Sequence, residues 1–378
     1  MKRKAKKPMG KGRVSARPGR AGAIGKEAVS AALGRAGATG KEAGLAPSGR
    51  AGAMGKEAGL AASGRAGEIT GEIAGEKTLM VVGSVALDSV KTPFGQVQEV
   101  LGGSAAFFAT AASYFTSVNV IAVVGEDFPE EHLTFLRERD IDLSGVERRP
   151  GKTFRWRGEY SYQLNEAKTL ETQLNVFESF RPQVPASHRS PGMLFLANID
   201  PDLQRSVLEQ VKRPRLVACD TMNFWIDGKR DALIRLLKDV DVLLINDGEA
   251  RALGQHPNLV AVARTILAAG PKTLIIKRGE YGVVMFTADR VFAVPAFPLE
   301  AVKDPTGAGD CFAGGFMGYL ASSGNVSEHA LRRAVVYGSV MASFAVEAFS
   351  LDRLRVLDQT DIVARFGAFK QMTIFEEL

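Results

Sequence analysis

The sequence predicts an α/β fold: a mostly parallel central sheet between two helical layers, with a small β element above it and a long tail in front. Three observations carry this. From Met193 onward, short apolar runs at Met193–Ala197, Leu216–Cys219, Val242–Ile245 and Thr273–Ile276 alternate with helical stretches near 201–211, 228–238 and 258–269. That is the rhythm of a parallel sheet covered on both faces. Polar residues gather just past these runs, Asn198 and Asp200, then Asp220, Asn223 and Trp225, then Asn246 and Glu249. Ligands of such sheets bind beyond the carboxyl ends of the strands. Last, a Gly-rich loop, Asp304-Pro305-Thr306-Gly307-Ala308-Gly309-Asp310, runs straight into a proline-free apolar stretch, Cys311 to Leu320.

The chain of 378 residues is 46% hydrophobic, ample for one large core. Its net charge of +6 is unevenly placed. Residues 1–78 hold 16 Lys+Arg against 6 Asp+Glu, and the remaining 300 hold 32 against 36. The basic excess therefore belongs to the tail. The tail repeats with a period of 15: Gly19-Arg20-Ala21-Gly22 recurs at 34–37, 49–52 and 64–67. Small Gly-rich repeats cannot bury enough surface to offset ordering entropy, so residues 1–78 read as a disordered low-complexity tail. Charge alone allows it a weak contact with nucleic acid, and a solvated extension is the plainer reading. Cys219 and Cys311 sit in apolar contexts, as small buried hydrophobes of a reducing compartment. No run of 18 apolar residues and no apolar leader stand in the sequence, which predicts a cytoplasmic protein without a membrane span.

In chain order, Leu79–Gly83 is a short apolar strand ending in glycine, with Asp88 soon after. Asp88 is either a turn residue or a binding carboxylate. Phe94–Leu101 alternates in part, then Gly102-Gly103 opens a small-residue helix from Ser104 to Phe115. Val118–Val124 is a second buried strand, and Glu130–Arg139 an amphipathic helix. Residues 152–164 alternate aromatic and charged side chains, which suits a strand with two unlike faces. With 90–101 they suggest a small sheet, in which Arg155 and Arg157 share a face that could reach phosphate, an ordinary solvent face being the plainer role for at least one of them. Asn246 and Glu249 have the spacing of a helix capping box. Lys277 to Gly282 reads as a turn before a hairpin, Val283–Phe286 with Val291–Val294. Lys277 is then a strand-end charge or a phosphate ligand. Val335–Phe349 is a long apolar helix, and 360–378 a closing one.

The loop at 304–310 holds the chemistry. Gly307, Ala308 and Gly309 fall at a helix start, where the first N–H groups lack partners and the positive dipole end points outward. Glycines there let phosphate oxygens approach the backbone. Asp310 is either a capping carboxylate worth about 0.5–2 kcal/mol, or a general base taking a proton from an attacking hydroxyl. Spacing does not choose.

The full string resembles the C-terminal signature of the PfkB/ribokinase family of carbohydrate and nucleoside kinases, D-T-x-G-A-G-D. Gly102-Gly103 resembles the N-terminal signature, and Asn246-Asp247-Gly248-Glu249 the family's N-x-x-E. The resemblance covers about 79–350 and implies a ribokinase-like three-layer αβα sandwich with a small β lid from about 90–101 and 152–164. It implies an ATP-dependent kinase acting on a hydroxyl of a sugar-like molecule. Asp310 is then the base, with Gly307, Ala308 and Gly309 as the anion hole. Asp88, Gly102 and Gly103 hold the acceptor. Asn246 and Glu249 serve Mg²⁺ and phosphates, Glu249 reaching the metal directly or through water. Lys277, Gly279, Gly282, Thr306 and, with Gly338, Ser339 serve the nucleotide. A monovalent cation is an open addition, and a homodimer through the lid is a further family trait. Relatives place asparagine five residues after the first signature glycine, where this chain has Phe107, so a polar contact is lost and a ring gained. The alternative of the same fold is a nucleoside kinase, with Phe107, Phe108, Trp156 or Trp225 as stacking surfaces. An alternative of another class is a non-catalytic scaffold tethered to nucleic acid by the tail.

Overall fold

The computed structural model describes residues 78–374. The tandem repeats of the tail, and residues 375–378, which the sequence assigns to the closing helix, lie outside the described residues. In chain order the strands are β1 (Leu79–Val82), β2 (Ala86–Thr92), β3 (Gly95–Gly102), β4 (Val118–Gly125), β5 (Ile141–Arg149), β6 (Arg155–Tyr160), β7 (Ala167–Gln173), β8 (Met193–Leu196), β9 (Leu216–Asp220), β10 (Val242–Asn246), β11 (Thr273–Lys277), β12 (Val283–Phe286) and β13 (Val291–Val294). The helices are α1 (Ser104–Ala112), α2 (Glu130–Arg137), α3 (Pro201–Leu208), α4 (Asn223–Gly228), α5 (Arg230–Leu237), α6 (Asp247–Gly254), α7 (Leu259–Ala268), α8 (Ala308–Ser323), α9 (Glu328–Ala345), α10 (Asp352–Arg355) and α11 (Gln359–Thr373).

The large sheet runs in the order β13-β12-β11-β10-β9-β8-β1-β4-β5. From β11 to β5 all neighbours are parallel, and β12 and β13 add an antiparallel edge. Successive residues of a strand point to opposite faces, and here both faces are covered. Val81, Phe195 and Leu244 pack with Phe108 of α1, Phe316 of α8, Phe344 of α9 and Phe369 of α11. Met80, Leu194, Leu243 and Ile276 pack with Val207 of α3, Leu233 of α5, Leu253 of α6 and Ile266 of α7. This is the three-layer arrangement the βαβ rhythm predicts.

The glycines of α8 do what a helix rich in glycine implies. A Cβ on Gly315 would lie 2.7 Å from the Tyr337 carbonyl oxygen, and one on Gly318 3.1 Å from the backbone of Ala112. Bare backbone lets α8 lie close against both α1 and α9.

A second sheet, β3-β2-β6-β7, stands apart from the first. It contains the two expected segments and one more, β7, whose residues are all exposed. β5 was equally invisible as a pattern: it is a sheet edge, and its buried and exposed positions do not alternate cleanly. α9 starts at Glu328, seven residues before the apolar run, because Ser327 caps it by accepting the Ala330 N–H at 3.4 Å. Cys219 and Cys311 are buried and unpaired, as expected. No helix among the described residues is long and apolar enough to cross a membrane.

Candidate active site

Three neighbouring parallel strands deliver polar residues to one edge of the sheet. The register sets Leu244 beside Asp220 and Asn246 beside Lys277. Asp220, Asn246 and Lys277 therefore leave the sheet side by side at its carboxyl edge, the position where such sheets bind ligands.

Asn246 starts α6 with a complete capping box. The Glu249 N–H donates to Asn246 Oδ1 at 2.8 Å, and the Asn246 N–H donates to Glu249 Oε2 at 2.8 Å. This holds the Glu249 carboxylate in place, only 9% exposed. Burial raises its pKa, the Lys277 charge and the Asn246 N–H oppose the rise, and Asp247 adds to it.

The start of α8 faces this edge. Gly307 caps the helix in the left-handed region, φ 74°, and the Phe107 ring fills the space where its Cβ would be. No other residue fits both constraints. Phe107 is 2% exposed, so the ring that replaces the family's asparagine forms the floor of the loop. A Cβ on Gly309 would lie 2.8 Å from Lys277 Nζ. The ammonium thus abuts the helix's first turn, where N–H groups without intrahelical acceptors also point outward. Of the three amides expected to form an anion hole, Ala308 already donates to the Pro305 carbonyl at 3.2 Å.

Asp310 is the third residue of α8, in that same first turn. Burial pushes its pKa up to about 7, with Lys277 and its own N–H opposing and Glu249 adding. A carboxyl poised there suits proton transfer near neutral pH. Asp304, 1% exposed, braces the loop from behind: it accepts the Thr306 N–H at 2.9 Å and the Ser350 N–H at 3.3 Å. The Thr306 hydroxyl donates to Tyr160 Oη of β6 at 3.3 Å. Burial pushes the Tyr160 pKa up to about 12, with Thr306 opposing and the charges of Asp304, Asp88 and Asp310 adding.

On the small sheet, Asp88 of β2 is 5% exposed and lies directly over Gly102, where a Cβ would collide with its carboxylate. Burial pushes its pKa up to about 7, the Gly103 N–H opposes, and Asp304 and Asp310 add. Gly103, φ 92°, packs against the Ser84 carbonyl. The signature glycines thus make room for Asp88 and for a backbone crossing. Asp88 and Asp310, far apart in sequence, share one electrostatic neighbourhood.

Other predicted residues are placed less centrally. Gly279, φ 54°, and Gly282, φ 83°, shape the turn after β11, closed by the Arg278 N–H on the Gly282 carbonyl at 2.8 Å. A Cβ on Gly338 would lie 2.8 Å from the Phe312 carbonyl oxygen, so bare backbone serves packing between α9 and α8, and the Ser339 hydroxyl donates to the Val335 carbonyl at 3.0 Å. Arg155 pairs with Glu99 at 2.6 Å and Asp127 at 2.8 Å, and Arg157 with Glu171 at 2.9 Å. Both guanidinium groups, weighed as phosphate ligands or solvent-face charges, are thus engaged by carboxylates of the chain itself. Phe108 is fully buried and stacks on Phe195 at 4.4 Å, so it offers no surface to a ligand.

Two site residues escaped the sequence reading. Asp220 stood out as a strand-end acid but gained no role. It is 5% exposed, its Oδ1 has no hydrogen-bond partner among the described residues, and neither has Thr221 Oγ1. Burial raises its pKa well above the usual range, Asp310 and Glu249 add, and Lys277 opposes. Its signal was positional equivalence to Asn246 one strand over. Tyr160 was one of several aromatics in an alternating stretch, with nothing to separate it from the rest.

The cluster fits Mg²⁺. Glu249 and the unpartnered Asp220 Oδ1 are hard oxygen donors close enough to feel the Lys277 charge. No three acidic, His or Cys side chains among the described residues converge at ligand distance. Mg²⁺ keeps several waters and needs few protein carboxylates, so this donor set suits a phosphate-bound ion.

The model of the pfkB family of carbohydrate kinases matches residues 72–352. This chain belongs to that family. It is therefore a phosphotransferase with a hydroxyl acceptor. A cytidine kinase of Thermococcus kodakarensis is 30% identical over 262 residues, 67% of this chain and 92% of that protein. A nucleoside kinase of Methanocaldococcus jannaschii is 26% identical over 156 residues, covering 41% of this chain and 49% of that one. The crystal structure of the Methanocaldococcus jannaschii nucleoside kinase superposes with TM-score 0.63 at 20% identity, covering 77% of this chain and 98% of that one. Ribokinase from Thermotoga maritima gives TM-score 0.63 at 20% identity over 77% and 99%. An E. coli chain solved with ATP and Mg²⁺ gives 0.62 at 19% over 78% and 99%. At these identities the likeness establishes the ribokinase-like fold.

Proposed function

We propose that the protein transfers the terminal phosphoryl group of ATP to a hydroxyl of a ribose-bearing molecule, a nucleoside in the first place, with Asp310 as the base. The supporting observation is that Asp310 feels the charge of the Lys277 ammonium, which abuts Gly309, and Asp88 feels that of Asp310, so the three share one electrostatic neighbourhood. Asp310 draws the proton from the attacking hydroxyl. Lys277 and the first-turn N–H groups of α8 hold the charge that develops on the transferring group. Asp88, aligned by Gly103, accepts hydrogen bonds from the acceptor's other hydroxyls. Mg²⁺ bound near Glu249 and Asp220 would supply further charge neutralisation.

Two observations favour the nucleoside over a bare sugar. The relative matched over nearly its whole length is a cytidine kinase. In addition, Trp156 is the register partner of Asp88 on the adjacent parallel strand, so both lie on the same face of the small sheet. Its indole covers Gly158 and donates to Thr169 at 3.2 Å, a half-buried aromatic wall next to the acceptor carboxylate. Such a wall suits a planar base. A sugar acceptor is the second reading, supported by the family's description as carbohydrate kinases.

The test is a panel of pentoses, hexoses, sugar phosphates and nucleosides with ATP and Mg²⁺, run on the wild type and on Asp310→Asn. A nucleoside should give the highest kcat/KM, and Asp310→Asn should lose about 10²–10⁴ in kcat while folding normally. Undiminished transfer by the variant removes the base assignment, and preference for a free sugar moves the acceptor to the second reading.

A further inference from the structure

The connection between β6 and β7, residues 161–166, leaves the small sheet and reaches the opposite side of the site. Its point of contact is Asn165. The Asn165 carboxamide fills the space that a Cβ would occupy on Gly279, in the turn after β11. Glycine there, at φ 54°, both turns the chain and admits the amide. At the start of the same connection, Tyr160 Oη accepts the Thr306 hydroxyl at 3.3 Å. One short segment therefore touches the phosphoryl loop and the turn after β11 at once.

The placement of Lys277 gives this contact a meaning. Its Nζ stands 2.8 Å from the Cβ position of Gly309, and Gly279 follows it by two residues. A phosphate chain whose terminal group sits at Gly309 passes Lys277 and runs on toward Gly279. Asn165 stands over that path. Its Oδ1 faces Gly279, while its Nδ2 lies farther off, 3.4 Å from the same Cβ position. Its side chain makes no hydrogen bond to the described residues, and the residue is exposed. An amide held against a glycine turn with its donors unspent is placed to serve something that enters from outside.

We propose that Asn165 is a binding residue for the donor nucleotide, its carboxamide N–H donating to the phosphate chain. The small sheet then grips the nucleotide as well as the acceptor. This rests on the kinase reading above and adds to it the element that closes on the donor side.

The experiment is calorimetric titration of the full-length protein with Mg²⁺ and a non-hydrolysable β,γ-imido analogue of ATP, and separately with AMP. The variants are Asn165→Ala, Asn165→Asp and, as a control in the same loop, Tyr162→Ala, whose side chain is 85% exposed. Losing one hydrogen bond to a charged group weakens binding of the ATP analogue about tenfold in Asn165→Ala. Asn165→Asp sets like charges together, so it loses more at low salt, and the extra loss shrinks in roughly 0.5 M salt. AMP affinity and the unliganded Tm stay at wild-type values, and Tyr162→Ala binds normally. ATP-analogue affinities of both Asn165 variants within twofold of wild type overturn the proposal and leave the kinase reading standing. Equal losses for AMP and the analogue overturn the phosphate contact. A wild type that binds no ATP analogue removes both this proposal and the kinase reading.

Discussion

The two halves of the site are built from different material. The phosphoryl half stands on the ends of β9, β10 and β11, strands that are buried almost throughout, and on α8, which is wedged between α1 and α9. Its carboxylates, Asp220 and Glu249, are less than a tenth exposed. The acceptor half stands on a four-stranded sheet whose outer strand β7 is exposed throughout, and its charged residues pair on the surface, as Lys91 does with Glu159 at 2.7 Å. Such exposed pairs contribute at most about 1 kcal/mol each. In the proposed function the buried, rigid half carries the phosphoryl chemistry, and the softer, more exposed half carries the choice of acceptor.

That division can be broken most sharply at Lys277. Lys277→Met removes the ammonium beside Gly309, and kcat should fall about 10²–10³, the loss typical for one group that stabilises transition-state charge. A normal kcat with weakened nucleotide affinity would make the lysine a binding group only. Asp88→Asn probes the other half. Steady-state kinetics should show kcat/KM for the acceptor down roughly tenfold or more, chiefly through KM, while titration shows nucleotide affinity unchanged. Equal damage to nucleotide binding would mean the halves are not separable.

The smallest effect is on stability. Asp220 is buried with its pKa raised, so the folded state holds its proton more tightly than the unfolded state does. Stability attached to this group is present below about pH 4, the unfolded value, and is lost as pH rises toward the raised folded value. Asp220→Asn should therefore raise the Tm at pH 8 by roughly 2–4 °C, the shift that about 1 kcal/mol makes in a large domain. The gain should vanish below about pH 4. A Tm at pH 8 equal to or below the wild type's would mean the buried carboxylate carries no such strain.

The sequence displayed the rigid half far better than the soft one, for a physical reason. Buried parallel strands are continuous apolar runs whose ends are marked by Asp220, Asn246 and Lys277, so the elements and the residues at Asn246 and Lys277 were visible, and Asp220 showed as a strand-end acid without a role. Gly307 and Gly309 were visible because backbone conformation and close approach admit no other residue. Exposed strands lack that constraint: β7 reads Ala-Lys-Thr-Leu-Glu-Thr-Gln and signals nothing. The arginines of β6 looked like phosphate ligands because their partners, Glu99, Asp127 and Glu171, are set by tertiary pairing. Phe107 looked like an acceptor contact, yet it packs beneath Gly307, since a ring's direction depends on the helix that carries it.

The most direct measurement is kcat/KM against pH, for the wild type and for Asp88→Asn, with the best acceptor of the panel. Asp310 must be unprotonated to act, and its pKa stands at about 7. Activity should fall as pH drops through about 7, and the same limb should persist in Asp88→Asn, which removes the other carboxyl raised to about 7. A profile flat down to about pH 5, or a limb that disappears with Asp88, would contradict Asp310 as the base.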